Sequence, residues 1–347
     1  MLRRSLLTIM LGSFAIFYWT FLALIVDTQQ EPLQTQAIFL AVSEAQESLQ
    51  AGMSSNTKEE EAPSALPDNV NEVANIMSER RKELQKQCAE TLTPEEEALP
   101  INSKEFLIND EYKLVWCNIF KAASSTWMYN FIIMAGNSDK YYQKSMKTSP
   151  VEVTREFYPR PSLEDLERSV THLNYTSFVI VREPFQRLLS AYRDKMESPK
   201  QPYYESLRCA IVANFSSDAH ENRGRCTPTF SEFVDYLLEE ASLGRPPNEH
   251  WAPYYSFCSP CRVNFDYILH FETLPRDEAF LLQAVEGLSR VVSPHNLHSS
   301  NTNYETINRD YFSQLTSAQI QGLLAIYQHD FTIFGYSVQK YLEFAQS

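Results

Sequence analysis

The stretch Phe178 to Lys195, FVIVREPFQRLLSAYRDK, decides how the rest of this 347-residue chain is read. Phe178, Val179, Ile180 and Val181 make an unbroken apolar run, the pattern of a strand covered on both faces in a parallel sheet. Arg182 closes the run. Pro184 fits a first helical turn, where its missing N–H costs little, and Phe185, Leu188, Leu189 and Tyr192 then recur at helical spacing. The segment predicts strand, charged corner, helix. At such a corner the free N–H groups of the helix and a guanidinium can hold a phosphate. An arginine beside a helix start can also be purely structural, and the pattern alone leaves both readings open.

Working outward, Leu114 to Phe120, LVWCNIF, reads as a second buried strand and Trp127 to Met134 as the opening of an apolar helix. Between them lies Lys121-Ala122-Ala123-Ser124-Ser125-Thr126. Small residues let backbone N–H groups close on an anion, hydroxyls add donors, and Lys121 supplies a point charge. The G-x-x-x-x-G-K-[ST] pattern of a nucleoside triphosphatase is absent, which argues against an ATP-using kinase. Two strands that each end in a phosphate-holding corner predict an α/β domain with a mostly parallel central sheet, its ligand at the strands' C-terminal ends. Further on, Thr229 with Glu232 and Thr316 with Gln319 are capping boxes that open helices with buried stripes. Asn248 to Cys261, NEHWAPYYSFCSPC, sets His250 and Trp251 side by side, either a ring platform and proton carrier in a sugar cleft or a packed aromatic loop.

The two ends of the chain differ. Leu6 to Val26 is 21 residues without a charge, preceded by Arg3 and Arg4, and predicts a membrane span with the N-terminus cytosolic. The acidic, proline-interrupted segment from Asp27 to Ser78 carries a net charge of −8 and predicts a flexible stem. The expected organisation is therefore a cytosolic tail over 1–5, a span over 6–26, a luminal stem over 27–78 and a catalytic domain over 79–347. A net charge of −14 and the lack of a basic surface argue against nucleic acid as a partner. Six cysteines fit an oxidising lumen, in any of fifteen pairings. Cys258-Ser-Pro-Cys261 lacks the two further ligands a zinc site needs, so no metal is expected. Asn174-Tyr-Thr and Asn214-Phe-Ser are sequons for luminal glycosylation.

The full string R-E-P-F-x-R-L-x-S-A-Y-x-x-K from Arg182 resembles the 3′-phosphate-binding motif of the Golgi carbohydrate sulfotransferases, in particular the chondroitin and dermatan 4-O-sulfotransferases. The resemblance runs from the paired Arg80 and Arg81 to Tyr336, through H-W-x-P, C-x-P-C and E-T-L. It implies a P-loop-like sulfotransferase fold in a single-pass Golgi membrane protein. The donor would be 3′-phosphoadenylyl sulfate (PAPS), the acceptor a glycan or proteoglycan hydroxyl. The family loop P-K-V-A-C-T-N-W stands here as Phe120 to Trp127, with Phe120 for Pro, Ser124 for Cys and Thr126 for Asn, and with Lys121 kept. By this resemblance the donor is held by Phe120 to Thr126 and by Arg182, Glu183, Pro184, Phe185, Gln186, Arg187, Leu188, Leu189 and Ser190. Lys121 steadies the leaving phosphate, Arg182 and Ser190 hold the 3′-phosphate, and Arg187 either assists or pairs with Glu183. The general base is expected at His250 or His172, with a carboxylate as the further choice. The altered loop leaves open an alternative, a Golgi protein that keeps the nucleotide pocket and transfers nothing.

Overall fold

The two apolar runs become neighbouring strands of one sheet. In the computed structural model, residues 70–138, 148–198, 202–216, 224–293 and 304–344 are described, all within one compact unit, Leu66–Ser347. The strands are β1 (Phe106–Asn109), β2 (Leu114–Cys117), β3 (Thr176–Val181) and β4 (Tyr267–His270), in that order across the sheet. β2, β3 and β4 run parallel, with Val179 between Cys117 and Ile268, while β1 pairs antiparallel to β2. The sheet is thus mixed: mostly parallel, with one antiparallel strand at the β1 edge. Phe178 to Val181 are fully buried, as an unbroken apolar run requires.

The helices used below are α1 (Val70–Thr91), α2 (Ser124–Met134), α3 (Pro184–Tyr192), α4 (Glu205–Phe215), α5 (Phe230–Ser242), α6 (Tyr304–Phe312) and α7 (Ser317–Ile333). Both expected capping boxes form, at Thr229 with Glu232 and at Thr316 with Gln319. One core surrounds the sheet, where Trp127 packs edge-on against Phe178 at 4.5 Å between centroids. A second lies among α3, α5 and α7 around Phe185, Phe233 and Tyr327. Each fully buried side chain of this size contributes roughly 1.5–3 kcal/mol.

α1 starts at Val70, upstream of the expected domain start at Glu79. Val73, Met77, Leu84 and Cys88 recur at helical spacing and are buried, so this charged helix packs on the domain, against β4 and α7. The expected tail, membrane span and stem up to residue 69 lie outside the described residues. Among the described residues no helix is long and apolar enough to cross a membrane. The cysteines pair as Cys88–Cys261, Cys117–Cys258 and Cys209–Cys226. Cys258 and Cys261 therefore staple one loop to β2 and to α1. Asn174 and Asn214 are both exposed.

Candidate active site

Parallel pairing puts the C-terminal ends of β2, β3 and β4 on one sheet edge, so the segments leaving them meet there. Arg182, next after β3, donates to the Lys121 carbonyl at 3.4 Å. Its guanidinium lies over the Phe271 ring at 4.5 Å and over Tyr304 of α6 at 4.9 Å. No carboxylate among the described residues pairs with it, and its Nε is buried without a partner. A buried, ring-clamped cation with an unmet donor is the kind of group that receives an anion.

The β2–α2 loop meets the same edge. Lys121 and Ala123 have φ of 69° and 60°, a left-handed geometry that costs non-glycine residues about 1–2 kcal/mol each. Ala123 caps α2 without any side-chain hydrogen bond, so the N–H groups of Ser124, Ser125 and Thr126 have neither an intrahelical carbonyl nor a side-chain cap. Such a terminus attracts phosphate. Lys121 Nζ is 2.9 Å from Asp194 Oδ2, and Lys195 Nζ is 3.2 Å from the same oxygen. Burial draws the Lys121 ammonium below the usual lysine value, with Asp194 pulling the other way. Burial also opposes ionisation of Asp194, but the two lysines outweigh it and hold its carboxyl low.

Lys121, Arg182, Gln186, Leu189, Ser190 and Tyr304 all border one cleft of about 540 Å³. The two expected corners and the serine of the motif are thus brought together, and their donors suit an anion. Other members of the motif face elsewhere. Phe185 and Leu188 are fully buried in the α3 core, and Pro184 is buried beside them. Glu183 is the N-cap of α3, accepting from the Gln186 N–H at 2.8 Å and from the Tyr341 hydroxyl at 2.6 Å. Burial raises its carboxyl pKa.

Arg187 neither pairs with Glu183 nor borders the cleft. It is 1% exposed and donates to the Phe120 carbonyl at 3.1 Å and to the Ala252 carbonyl at 2.9 and 2.6 Å. A helical position predicts which way a side chain faces, not which carbonyl it meets. Arg187 ties the donor loop to the loop carrying His250.

His250 sits on that second loop with its ring 4.6 Å from Phe120, between centroids. Nδ1 is 2.9 Å from Asn248 Oδ1 and 3.0 Å from the Tyr204 hydroxyl. Burial, helped by the charges of Lys195 and Lys121, pushes its pKa down to about 3, so the ring is neutral at physiological pH. His172 is not brought to the site. It ends the turn Arg168–His172 before β3, at the N-terminal end of a strand whose C-terminal end leads to Arg182, and it is exposed. A strand of six residues spans about 17 Å, too far for a side chain to bridge.

Asp194, Lys195, Tyr204, Asn248, Phe271 and Tyr304 were not singled out from the sequence as site residues. Asp194, Lys195 and Asn248 lie inside quoted stretches, so their positions were in view but not their partners. Nothing in the local sequence marks Tyr304. Among the described residues no group of His, Cys, Asp or Glu is arranged to hold a metal.

A sheet edge that sets a lysine and a ring-clamped arginine on one cleft, with an uncapped helix start just beyond the lysine and a neutral histidine on a neighbouring loop outside the cleft lining, has the parts of a nucleotide-dependent group transferase. Comparison with known proteins supplies the family: the sulfotransferase family profile matches residues 104–337, and the chain belongs to that family. It is 28% identical to carbohydrate sulfotransferase 11 of Mus musculus over 255 residues, 70% of each chain. It is 28% identical to carbohydrate sulfotransferase 8 of Mus musculus over 302 residues, 83% of this chain and 70% of the relative. To carbohydrate sulfotransferase 9 of Homo sapiens it is 30% identical over 239 residues, 66% of this chain and 52% of the relative. No solved structure matches it at a significant level.

Proposed function

We propose that this protein transfers a sulfuryl group from PAPS to a hydroxyl of a glycan, of the chondroitin or dermatan type or related to it, in the Golgi lumen. One observation carries the reading: Lys121, Arg182 and Ser190 border a single cleft beside the uncapped start of α2. The names of the relatives, all carbohydrate sulfotransferases, support the acceptor class. Three disulfides and two exposed sequons suit a lumen, and the charge-free run from Leu6 to Val26 suits a type II anchor.

Bound PAPS supplies an electrophilic sulfur and a phosphate leaving group. Lys121 and the first N–H groups of α2 stabilise the negative charge that grows on the leaving oxygen. Arg182 and Ser190 hold the 3′-phosphate, so that binding energy far from the sulfur serves to align it. Asp194 holds the Lys121 ammonium at the cleft until an anion competes for it. His250 takes the proton of the attacking hydroxyl, and its neutral ring has a lone pair to do so. Incubation of the protein with ³⁵S-labelled PAPS and a panel of desulfated glycans tests this. Label should enter at least one glycan; donor binding with transfer to none would favour a binding protein.

A further inference from the structure

We infer that Asn248 is a positioning residue that fixes the tautomer of His250, leaving the lone pair on Nε2. This rests on the reading of His250 as the base. The His250 N–H donates to Asn248 Oδ1 at 3.0 Å, and only an oxygen can accept there, so the amide orientation is fixed. The same oxygen is 2.9 Å from His250 Nδ1. An amide oxygen has no proton to give, so Nδ1 must carry the hydrogen; a bare Nδ1 would oppose two lone pairs at that distance. Turning the amide over would instead set its NH₂ against the backbone N–H.

The surroundings agree. Glu249 Oε1, 3.8 Å from Nδ1, is a second acceptor on that side. Tyr204 can then accept from Nδ1–H at 3.0 Å while turning its own proton toward Asn248 Oδ1 at 3.5 Å. Nε2 has no hydrogen-bond partner among the described residues, yet it is not among the fully enclosed unpaired atoms. The charged groups facing the ring are Lys121 from the β2–α2 loop, Arg187 from α3, and Asp194 and Lys195 from the turn after α3. The cations oppose protonation, and the acceptors around Nδ1 decide which nitrogen of the neutral ring holds its one proton. Phe120 packs tilted against the ring, at 4.6 Å between centroids.

Without Asn248, the Tyr204 hydroxyl is left to donate to Nδ1, which puts the proton on Nε2 and removes the base. The test is ¹⁵N NMR of the full-length protein labelled at its seven histidines, with His250 assigned by its loss in His250→Ala. The expected result is a pyrrole-type shift for Nδ1 and a pyridine-type shift for Nε2. Asn248→Ala should exchange the two shifts and lower kcat by about 10²-fold, the scale of a lost general base, with the donor KM unchanged. Asn248→Asp keeps an acceptor against Nδ1, so it should keep the shift pattern and most of kcat while moving the acidic limb of the kcat profile to higher pH. A pyridine-type Nδ1 in the unmutated protein overturns the inference, as does an Asn248→Ala protein with normal shifts and normal kcat. A normal kcat in His250→Ala is a different failure: it removes the base reading itself, and the positioning role with it.

Discussion

Arg187 and Arg182 stand five residues apart in one motif, and the structure gives them opposite fates on truncation. Arg187→Ala strips hydrogen bonds from two buried carbonyls, Phe120 and Ala252. Each carbonyl left unsatisfied costs about 1–3 kcal/mol. Lost stacking of the guanidinium on Tyr254, 4.6 Å away, adds about 1 kcal/mol. Asp330, whose pKa burial has already raised to about 7, loses a nearby positive charge as well. The total is about 4 kcal/mol, which for a domain of this size lowers Tm by roughly 8–16 °C. Arg182→Ala removes one long bond of 3.4 Å and two ring contacts at the cleft, so its melting point should fall by only about 2–4 °C while donor binding disappears. Scanning calorimetry of both variants, with titration of adenosine 3′,5′-bisphosphate, separates the cases. An Arg187→Ala protein that melts within about 3 °C of the parent but no longer binds the nucleotide would instead place Arg187 in the donor site.

The other expectations follow from the same contacts. His250 and His270 are both held by burial at about 3, below the ordinary value near 6.5, so the unfolded chain binds more protons between those limits. The contribution of the two rings is complete above pH 6.5 and declines as pH falls toward 3, by up to about 1.4 kcal/mol per pH unit for each ring. The buried carboxyls of Asp330 and Glu278, raised to about 7, work in the opposite direction, so the histidine part is read as a difference: between pH 7 and pH 5, denaturant melts should show His250→Gln gaining stability relative to the unmutated protein. Because the ring is already neutral, kcat should show no histidine-like loss near pH 6.5, which a pH–rate profile checks. Cys88–Cys261 already joins the two ends of the segment that Cys117–Cys258 closes, so breaking the inner bridge frees only a short loop, and by chain entropy Cys258→Ser and Cys226→Ser should cost within about 1 kcal/mol of each other in paired thermal melts.

What could be read from the sequence was what local chemistry alone decides. The run from Phe178 to Val181 had to be covered on both faces, Pro184 had to open a helix, and Thr229 and Thr316 had to cap theirs; all are so in the fold. β1 went unread because four residues at an antiparallel edge carry too short a pattern. The expected domain start at Glu79 falls inside α1, because the acidic composition upstream outweighed the sparse stripe of Val73 and Met77. In the candidate site, Lys121 and Arg182 could be read as charges at strand ends, while Ser190, inside α3, was picked out only by the family resemblance. Their partners could not be read, since the Asp194 tether, the Phe271 and Tyr304 rings and the Asn248 amide depend on contacts between distant segments. His172 failed for the same reason: nearness in sequence to β3 says nothing of which end of the strand it occupies.

The most direct test of the donor site is the rate of ³⁵S transfer from labelled PAPS to a desulfated glycan by the unmutated protein, Lys121→Ala and Arg182→Ala, each confirmed folded by its melting curve. Transfer by the unmutated protein and none above background by either variant is the result expected from a cleft built on those two cations. Transfer by both variants at the unmutated rate would contradict it.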